Sequence, residues 1–396
     1  MSYHRKREIL LTILFIVLPS AFLFSQAPDL TPPNARQSAL GGAHVTLADD
    51  IDTLLSNPAG LAGLETQVQV AEVALHLRGP VFDITNLMVE VANSGDDVLD
   101  VISGSSGETL NDLKAGIDLS GPVSFAFTTN GFGFGIYNWG GMAFDQQGTI
   151  SMGTLDINTY DTLLLVGGYG YRFVFSEENK IMLDVGASLK GFASGEINYS
   201  DYSLVFFDST LTSGDIFLAT SPFNLKTGIS GDIGILFHLG GWFKAGIVAR
   251  DVITAYWTTT YGNIGDYLNS SGGGSTDFDY SLTNLCVGVM FQPPLGNFPW
   301  FISDLKIMLD YDDMLAFTVH PETATNPILH VGVGVEIAFL EVLSVRAGFY
   351  QGLFSAGLGI DLSIFQLNVS MFGSEQGLEP GLLPAYNVMI SLKFVY

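Results

Sequence analysis

Residues 328–339, ILHVGVGVEIAF, carry a large apolar side chain at every second position. Leu329, Val331, Val333, Val335, Ile337 and Phe339 alternate with His330, Gly332, Gly334, Glu336 and Ala338. A period of two marks a strand with one apolar face. The same alternation sets Ile181, Leu183, Val185, Ala187 and Leu189 against Asp184, Gly186, Ser188 and Lys190. It sets Phe243, Ala245, Ile247 and Ala249 against Lys244, Gly246 and Arg250, and Phe365, Leu367, Val369 and Met371 against Gln366, Asn368 and Ser370. About fourteen such segments, roughly ten residues each, run from about Thr66 to the end, divided by Gly, Asn, Asp and Pro clusters. That length suits a tilted membrane strand.

Two architectures want such strands. A soluble sandwich turns the apolar face inward, and a membrane barrel turns it outward. In the first, Lys190, Arg250, Glu336 and Arg346 would lie on a solvent face unusually rich in Gly and Ser; in the second they line a lumen. The pattern therefore predicts an all-β fold, a transmembrane antiparallel β-barrel of about 14 strands.

Two stretches break the alternation. Residues 27–63 (APDLTPPNARQSALGGAHVTLADDIDTLLSNPAGLAG) are rich in small residues and turn formers, and predict short helices and turns. A barrel of that size is wider than its own side chains fill, since eight strands already suffice for a filled interior. The segment before the first strand is thus expected to plug it, as an N-terminal hatch. The second stretch, 85–118, shows weak helical spacing and predicts short helices inside or beside the barrel.

Composition supports the membrane reading. Hydrophobic residues make up 47% of the 396-residue chain and charged residues 14%, against roughly 25% charged in typical soluble domains. Mean hydropathy is +0.36, yet no segment beyond the leader has the run of about 18 apolar residues that a membrane helix needs. The 46 glycines and 29 phenylalanines suit a lumen and interfacial girdles. A net charge of −25 repels phosphate backbones, so no nucleic-acid partner is expected. Cys286 is the only cysteine, which excludes an internal disulfide and multi-cysteine metal sites; it is expected to pack as a small hydrophobe.

The N-terminus reads as an export signal over 1–26: Arg5, Lys6 and Arg7, then an apolar Ile9–Phe24, then small residues near Ser25 to Ala27. The last strand alternates Tyr386, Val388, Ile390, Leu392, Phe394 and Tyr396. Its terminal aromatic resembles the signal that outer-membrane barrel-assembly machinery recognises. Together these predict a bacterial outer-membrane protein with domains 1–26 (signal), 27–63 (hatch) and 64–396 (barrel), in contact with outer-membrane lipid.

Residues 39–64, ALGGAHVTLADDIDTLLSNPAGLAGL, resemble the hatch of the FadL-type outer-membrane transporters of long-chain fatty acids and of the related PorV-like barrels. The matching positions are Gly41 and Gly42, then Ala48-Asp49-Asp50, then Asn57-Pro58-Ala59 before the first strand. The resemblance implies a 14-stranded barrel closed by a hatch, passed by a hydrophobic small-molecule ligand through passive diffusion. It further implies release sideways through a break in a strand. No ligand-contacting residue carries over. The alternative it allows is a PorV-like barrel that serves protein secretion or surface assembly and transports nothing.

No catalytic or metal motif stands out. His4, His44, His76, His238, His320 and His330 show no ligand spacing. GFGFGIYNWGG (131–141) lacks the phosphate-loop pattern and reads as a strand with a glycine face. DYDD (310–313) and ADDID (48–52) read as a strand end and a polar turn rather than calcium loops. The expectation is no enzyme, no metal and no cofactor.

Overall fold

The computed structural model describes residues 29–81, 86, 89, 113–148, 153–202, 220–269, 274–296, 300–315 and 325–396. The expected export signal, residues 1–26, lies outside them. Fourteen strands, all paired antiparallel with their sequence neighbours, form a closed barrel in which β14 (Pro384–Val395) returns to β1 (Gln67–Arg78). Between them run β2 (Lys114–Thr129), β3 (Phe132–Gln147), β4 (Thr154–Ser176), β5 (Ile181–Tyr202), β6 (Phe223–Leu239), β7 (Phe243–Tyr261) and β8 (Ser275–Phe291). The other half is β9 (Ile302–Tyr311), β10 (Val331–Phe339), β11 (Leu343–Tyr350), β12 (Leu353–Leu362) and β13 (Phe365–Glu375).

The alternating faces point as a membrane barrel requires. Leu189 is 67% exposed while its neighbours Ser188 and Lys190 are buried inside. Val333 is exposed between buried Gly332 and Gly334. Val369 and Met371 face out around Ser370. Strand after strand exposes large apolar residues outward, far more than a water-soluble surface carries. Among the described residues no helix is long and apolar enough to cross a membrane.

Two expectations are corrected. Leu329 is not on the lipid face: it is buried in a 3-10 turn, Pro327–His330, that precedes β10. Pro327 at the start of that turn has no backbone N–H and cannot join a ladder. In 85–118, residues Lys114–Asp118 belong to β2 rather than a helix. Asn86 and Val89 are helical, and the rest of that stretch lies outside the described residues.

Strand length also departs from ten. β2 to β8 run 16 to 23 residues, and β9 to β13 run 8 to 11. The tight turns align at one end: Asn130-Gly131, 177–180, 240–242, 340–342 and Ser363-Ile364. Val68 and Tyr396 pair backbone to backbone at that end. The extra length of β2 to β8 therefore rises at the other end, where the chain between strands is longer. There the polar runs TLDINTY, EINYSDY and TTTY continue the ladder beyond the apolar band, which is why counting apolar alternation alone stops short. In bacterial barrels short turns face the periplasm and long loops face outside.

Inside the barrel lies the segment 29–64. It holds α1 (Ala35–Ala39), α2 (Thr53–Ser56) and a 3-10 turn Pro58–Gly63. Its Leu30, Ile51, Leu54, Leu55, Leu61 and Leu64 form one buried cluster with Tyr137, Trp139, Leu164, Val166, Phe192 and Tyr256 of the wall.

Candidate functional site

The N-terminal segment is held in the lumen in two different ways. On the β4–β6 side it is held by close backbone approach. The 3-10 turn opens at Asn57, whose Oδ1 accepts from Ala59 N (3.1 Å) and whose Nδ2 donates to Val45 O (2.9 Å). Pro58 is pre-set for this first helical position. The turn lies on Gly170, Gly186 and Gly234: a methyl group on Gly170 would meet Ala62 N at 2.7 Å, and on Gly186 it would meet the Pro58 carbonyl. The glycine face read as a lumen lining is thus a bed for this turn. Gly133 and Gly168 likewise lie against Leu54 and Leu61.

α1 closes on the Gly41-Gly42 pair. Both residues adopt positive φ (65° and 72°), Gly42 N donates to Gln37 O (2.9 Å) and Gly41 N to Ser38 O (3.3 Å). This is the two-bond helix stop that favours glycine. It presses the chain onto β10 and β11, where a methyl at Gly41 would sit 2.6 Å from Val333 O. The following backbone N–H groups of His44 and Val45 both donate to Asp310 Oδ2 (2.7 and 2.8 Å). Ala48 packs on Gly60.

On the β9–β14 side the attachment is ionic. Arg36 reaches Asp49 (2.8 Å) and Asp50 (2.6 Å) in its own segment and Glu336 of β10 (2.7 Å). Glu336 also takes Lys306 (3.1 Å) and Arg346 (2.7 Å), and Lys306 reaches Asp49 (2.9 Å). Lys393 of β14 meets Asp52 at 2.6 Å. Burial alone would raise Asp49, but Arg36 and Lys306 outweigh it and hold its carboxyl well below the usual carboxylate range. Asp50 is pushed up to about 6, by burial first and then by the charge of Asp52, with Arg36 offsetting only part.

All eight motif positions, Gly41, Gly42, Ala48, Asp49, Asp50, Asn57, Pro58 and Ala59, therefore lie in this one lumenal segment. Sequence reading placed Lys190, Arg250, Glu336 and Arg346 on the lumen face, and each has an ionic partner there: Asp232, Asp312, Arg36 and Glu336 respectively. It missed Arg36, Asp52, Lys306 and Lys393, the bonds that join segment to wall. Sparse charges on alternate lumen positions were the available signal. Cys286, expected to pack apolar, is buried against Arg250 (2.9 Å) and Asp312. Among the described residues no group of three or more His, Cys, Asp and Glu is arranged around a metal position.

Cavities follow the lumen among the described residues. An outer one of about 710 Å³ lies among β1–β5, β13 and β14, lined by His76, Arg78, Tyr199, Phe372 and Glu375. An inner one of about 440 Å³ lies against the N-terminal segment, between Pro32, Pro33, Val45, Arg250, Tyr350 and Phe372. A void of about 20 Å³ at Pro33, Leu55 and Tyr137 comes next, and one of about 390 Å³ opens at the tight-turn end beside Arg36, Asp50 and Lys393. Among the described residues wall pairing carries several register shifts, and in two regions they affect both neighbours of one strand. β1 leaves β2 between Gln69 and Ala74, where Gly121 to Val123 bulge out of register with β3 as well. β7 leaves its neighbours around Asp251, behind which Lys190 joins Asp232 (2.9 Å) and Asp251 (3.1 Å).

No protein-family model matches the chain, and no curated protein does. Several solved structures do. The chain is similar to the Pseudomonas putida toluene transporter TodX, with 11% identity over 94% of this chain and 99% of that one, at a TM-score of 0.45. It is similar to the Ralstonia pickettii toluene transporter TbuX (12% identity, 93% and 98% covered, TM-score 0.48). A Pseudomonas aeruginosa FadL homologue matches at 12% identity, 92% and 99% covered, with a TM-score of 0.43. These likenesses are distant.

Proposed function

We propose that the chain is an outer-membrane barrel that admits hydrophobic small molecules by passive diffusion, with residues 27–63 as its hatch. The favoured cargo is fatty-acid-like, with an apolar body and one polar end. The observation that carries this reading is the inner cavity of about 440 Å³ on the hatch. Its size falls in the range of small-molecule pockets. Pro32, Pro33, Val45, Tyr350 and Phe372 give it apolar surface, and its polar lining includes His44, Arg250, Asp251, Asn284, Asp310 and Asp312.

The wall interruption at Gly121–Val123 supports a sideways exit. Gln69 and Ser124, bonded at 2.6 Å, are buried on its inner side, and Val70, Val73 and Val123 are exposed on its outer face, so a solute leaving there meets lipid rather than water.

The test is uptake of a labelled long-chain fatty acid and a labelled monoaromatic by cells with the gene deleted and restored, beside a hydrophilic solute as control. Restoration should raise uptake of at least one hydrophobic probe and leave the hydrophilic one unchanged. Equal uptake with and without the gene, together with a protein co-purifying on the outer loops, would replace this reading with the secretion or assembly role.

A further inference from the structure

The outer and inner cavities share one side chain, Phe372 of β13. Its ring is half-buried and lies against His76 of β1, with centroids 5.4 Å apart and planes at 31°. His76 is fixed from behind by Asp118, whose Oδ2 is 3.0 Å from its Nδ1. On the hatch side Phe372 packs on Ala35, the first residue of α1, together with Ala74 and Met389. The ring thus spans from the wall to the hatch at the level where one cavity ends and the next begins. Below it lie Ser38 and Ser355; above it lie Ser374, Glu375 and Asn387.

We infer that Phe372, steadied by His76, is the partition between the outer vestibule and the hatch cavity, and sets the width of solute that reaches the hatch. This rests on the reading of the barrel as a passage. A half-buried aromatic ring with two χ angles can swing between staggered wells without breaking a ladder bond. It forms no hydrogen bond that such a swing would cost. A strand backbone or the ion pairs of the hatch could not move so cheaply. The ring is also apolar on both faces, so a solute displacing it replaces one apolar contact with another, whereas a hydrated ion would have to shed water. Width and hydration are then selected at the same residue.

The test places a cysteine in the hatch cavity and reads its access from outside. Ser38→Cys puts a thiol on α1, in the inner cavity and half-buried; the parent chain, with Cys286 buried, gives the background. Thiol reagents of graded width are added to intact cells. Phe372→Ala should speed labelling by the wider reagents on the order of tenfold and the narrow one far less, and Phe372→Trp should slow both. Phe372→Leu should fall between, and it carries the test if the alanine variant loses its heat-modifiable mobility. His76→Ala should also speed the wide reagent. Rates that ignore the size of residue 372, in variants that keep the mobility shift, overturn the proposal. Labelling reads access alone, so a barrel that shows this dependence but no hydrophobe uptake would sink the transport reading and leave the partition standing.

Discussion

Lys393 in the last strand holds its Nζ 2.6 Å from both carboxylate oxygens of Asp52, 341 positions earlier in the hatch. Both side chains are buried, and the bond ties the hatch to the strand that closes the barrel. Removing one member of a buried pair costs about 3–5 kcal/mol, because the other charge stays buried and alone. Lys393→Met would strand two carboxylates, since Glu72 also lies 3.7 Å from the ammonium. The hatch should come loose while the barrel persists. Limited proteolysis should cut between 45 and 60 at least tenfold faster in folded, heat-modifiable protein. Adding Asp52→Asn should restore part of the protection. Unchanged cutting in the single variant would mean the pair does not seat the hatch.

The two faces of β10 give a paired prediction. Val333 faces lipid, and Val333→Arg should cost about 2–4 kcal/mol of barrel stability near the midplane. From the sequence, Gly334→Ser on the opposite face would be expected to be harmless, as a change in a watery lumen. The structure reverses that: a Cβ on Gly334 would lie 2.5 Å from Leu40 O and 3.0 Å from Leu40 Cβ. Gly334→Ser should therefore spare the barrel and displace the hatch, and Gly186→Ala should do the same under Pro58. Urea titration reads the first effect, and hydrogen exchange of residues 37–60 reads the second. A Gly334→Ser barrel with wild-type exchange in the hatch would show that the close contact relaxes without consequence.

The alternation of apolar and small residues made the barrel legible, because the period-two rule holds whichever side is wet. The side of each strand followed once charges such as Lys190 and Glu336 were assigned to the lumen. Strand length was not legible in β4 and β5, since above the membrane a ladder continues with Thr, Asn and Asp that carry no apolar signal. The hatch residues were visible as a break in the pattern, Asn57-Pro58 as turn chemistry, and Gly41-Gly42 only through the resemblance. Their partners were not. Arg36–Glu336 and Asp52–Lys393 join residues some 300 positions apart, and a single sequence holds no local rule that pairs them. Gly186 had the same limit: alternation marked it as lumenal, while only the packed turn shows why nothing larger fits there or at Gly170 and Gly234.

Asp50 predicts a pH dependence of the hatch. Its carboxyl is raised from 3.8 to about 6, so the seated hatch binds a proton more tightly than the released one. The sign follows from linkage: this contribution is full below about pH 4, fades as pH rises through 6, and is gone above it. Asp49 is held well below the usual range by Arg36 and Lys306 and stays ionised throughout that window. Hatch amides, corrected for intrinsic exchange rates, should open more often at pH 7 than at pH 5. Asp50→Asn should remove most of the slope and keep the pH 7 hatch nearly as closed as the pH 5 one. A slope that survives in Asp50→Asn would assign it to another group.

Deleting residues 34–60 tests whether the segment gates the pore or holds the barrel together. The fourteen-strand ladder closes through β1 and β14 without using the hatch. Glu336 retains Arg346 and Lys306, and Lys393 retains Glu72, whereas Asp310 loses the backbone donors of His44 and Val45. Loss of the segment would expose Leu164, Val166 and Phe192 to lumen water, a cost of roughly 1.5–3 kcal/mol for each large side chain fully uncovered. The barrel should therefore insert but melt earlier, and it should conduct small polar solutes in planar bilayers. Full-length protein should stay closed to them. Selective uptake of hydrophobic probes should disappear, because the inner cavity loses the wall that Gly41, Gly42 and Val45 provide. A deleted protein that is heat-modifiable yet as closed as the full chain would place the plug in other residues and leave the hatch a structural prop.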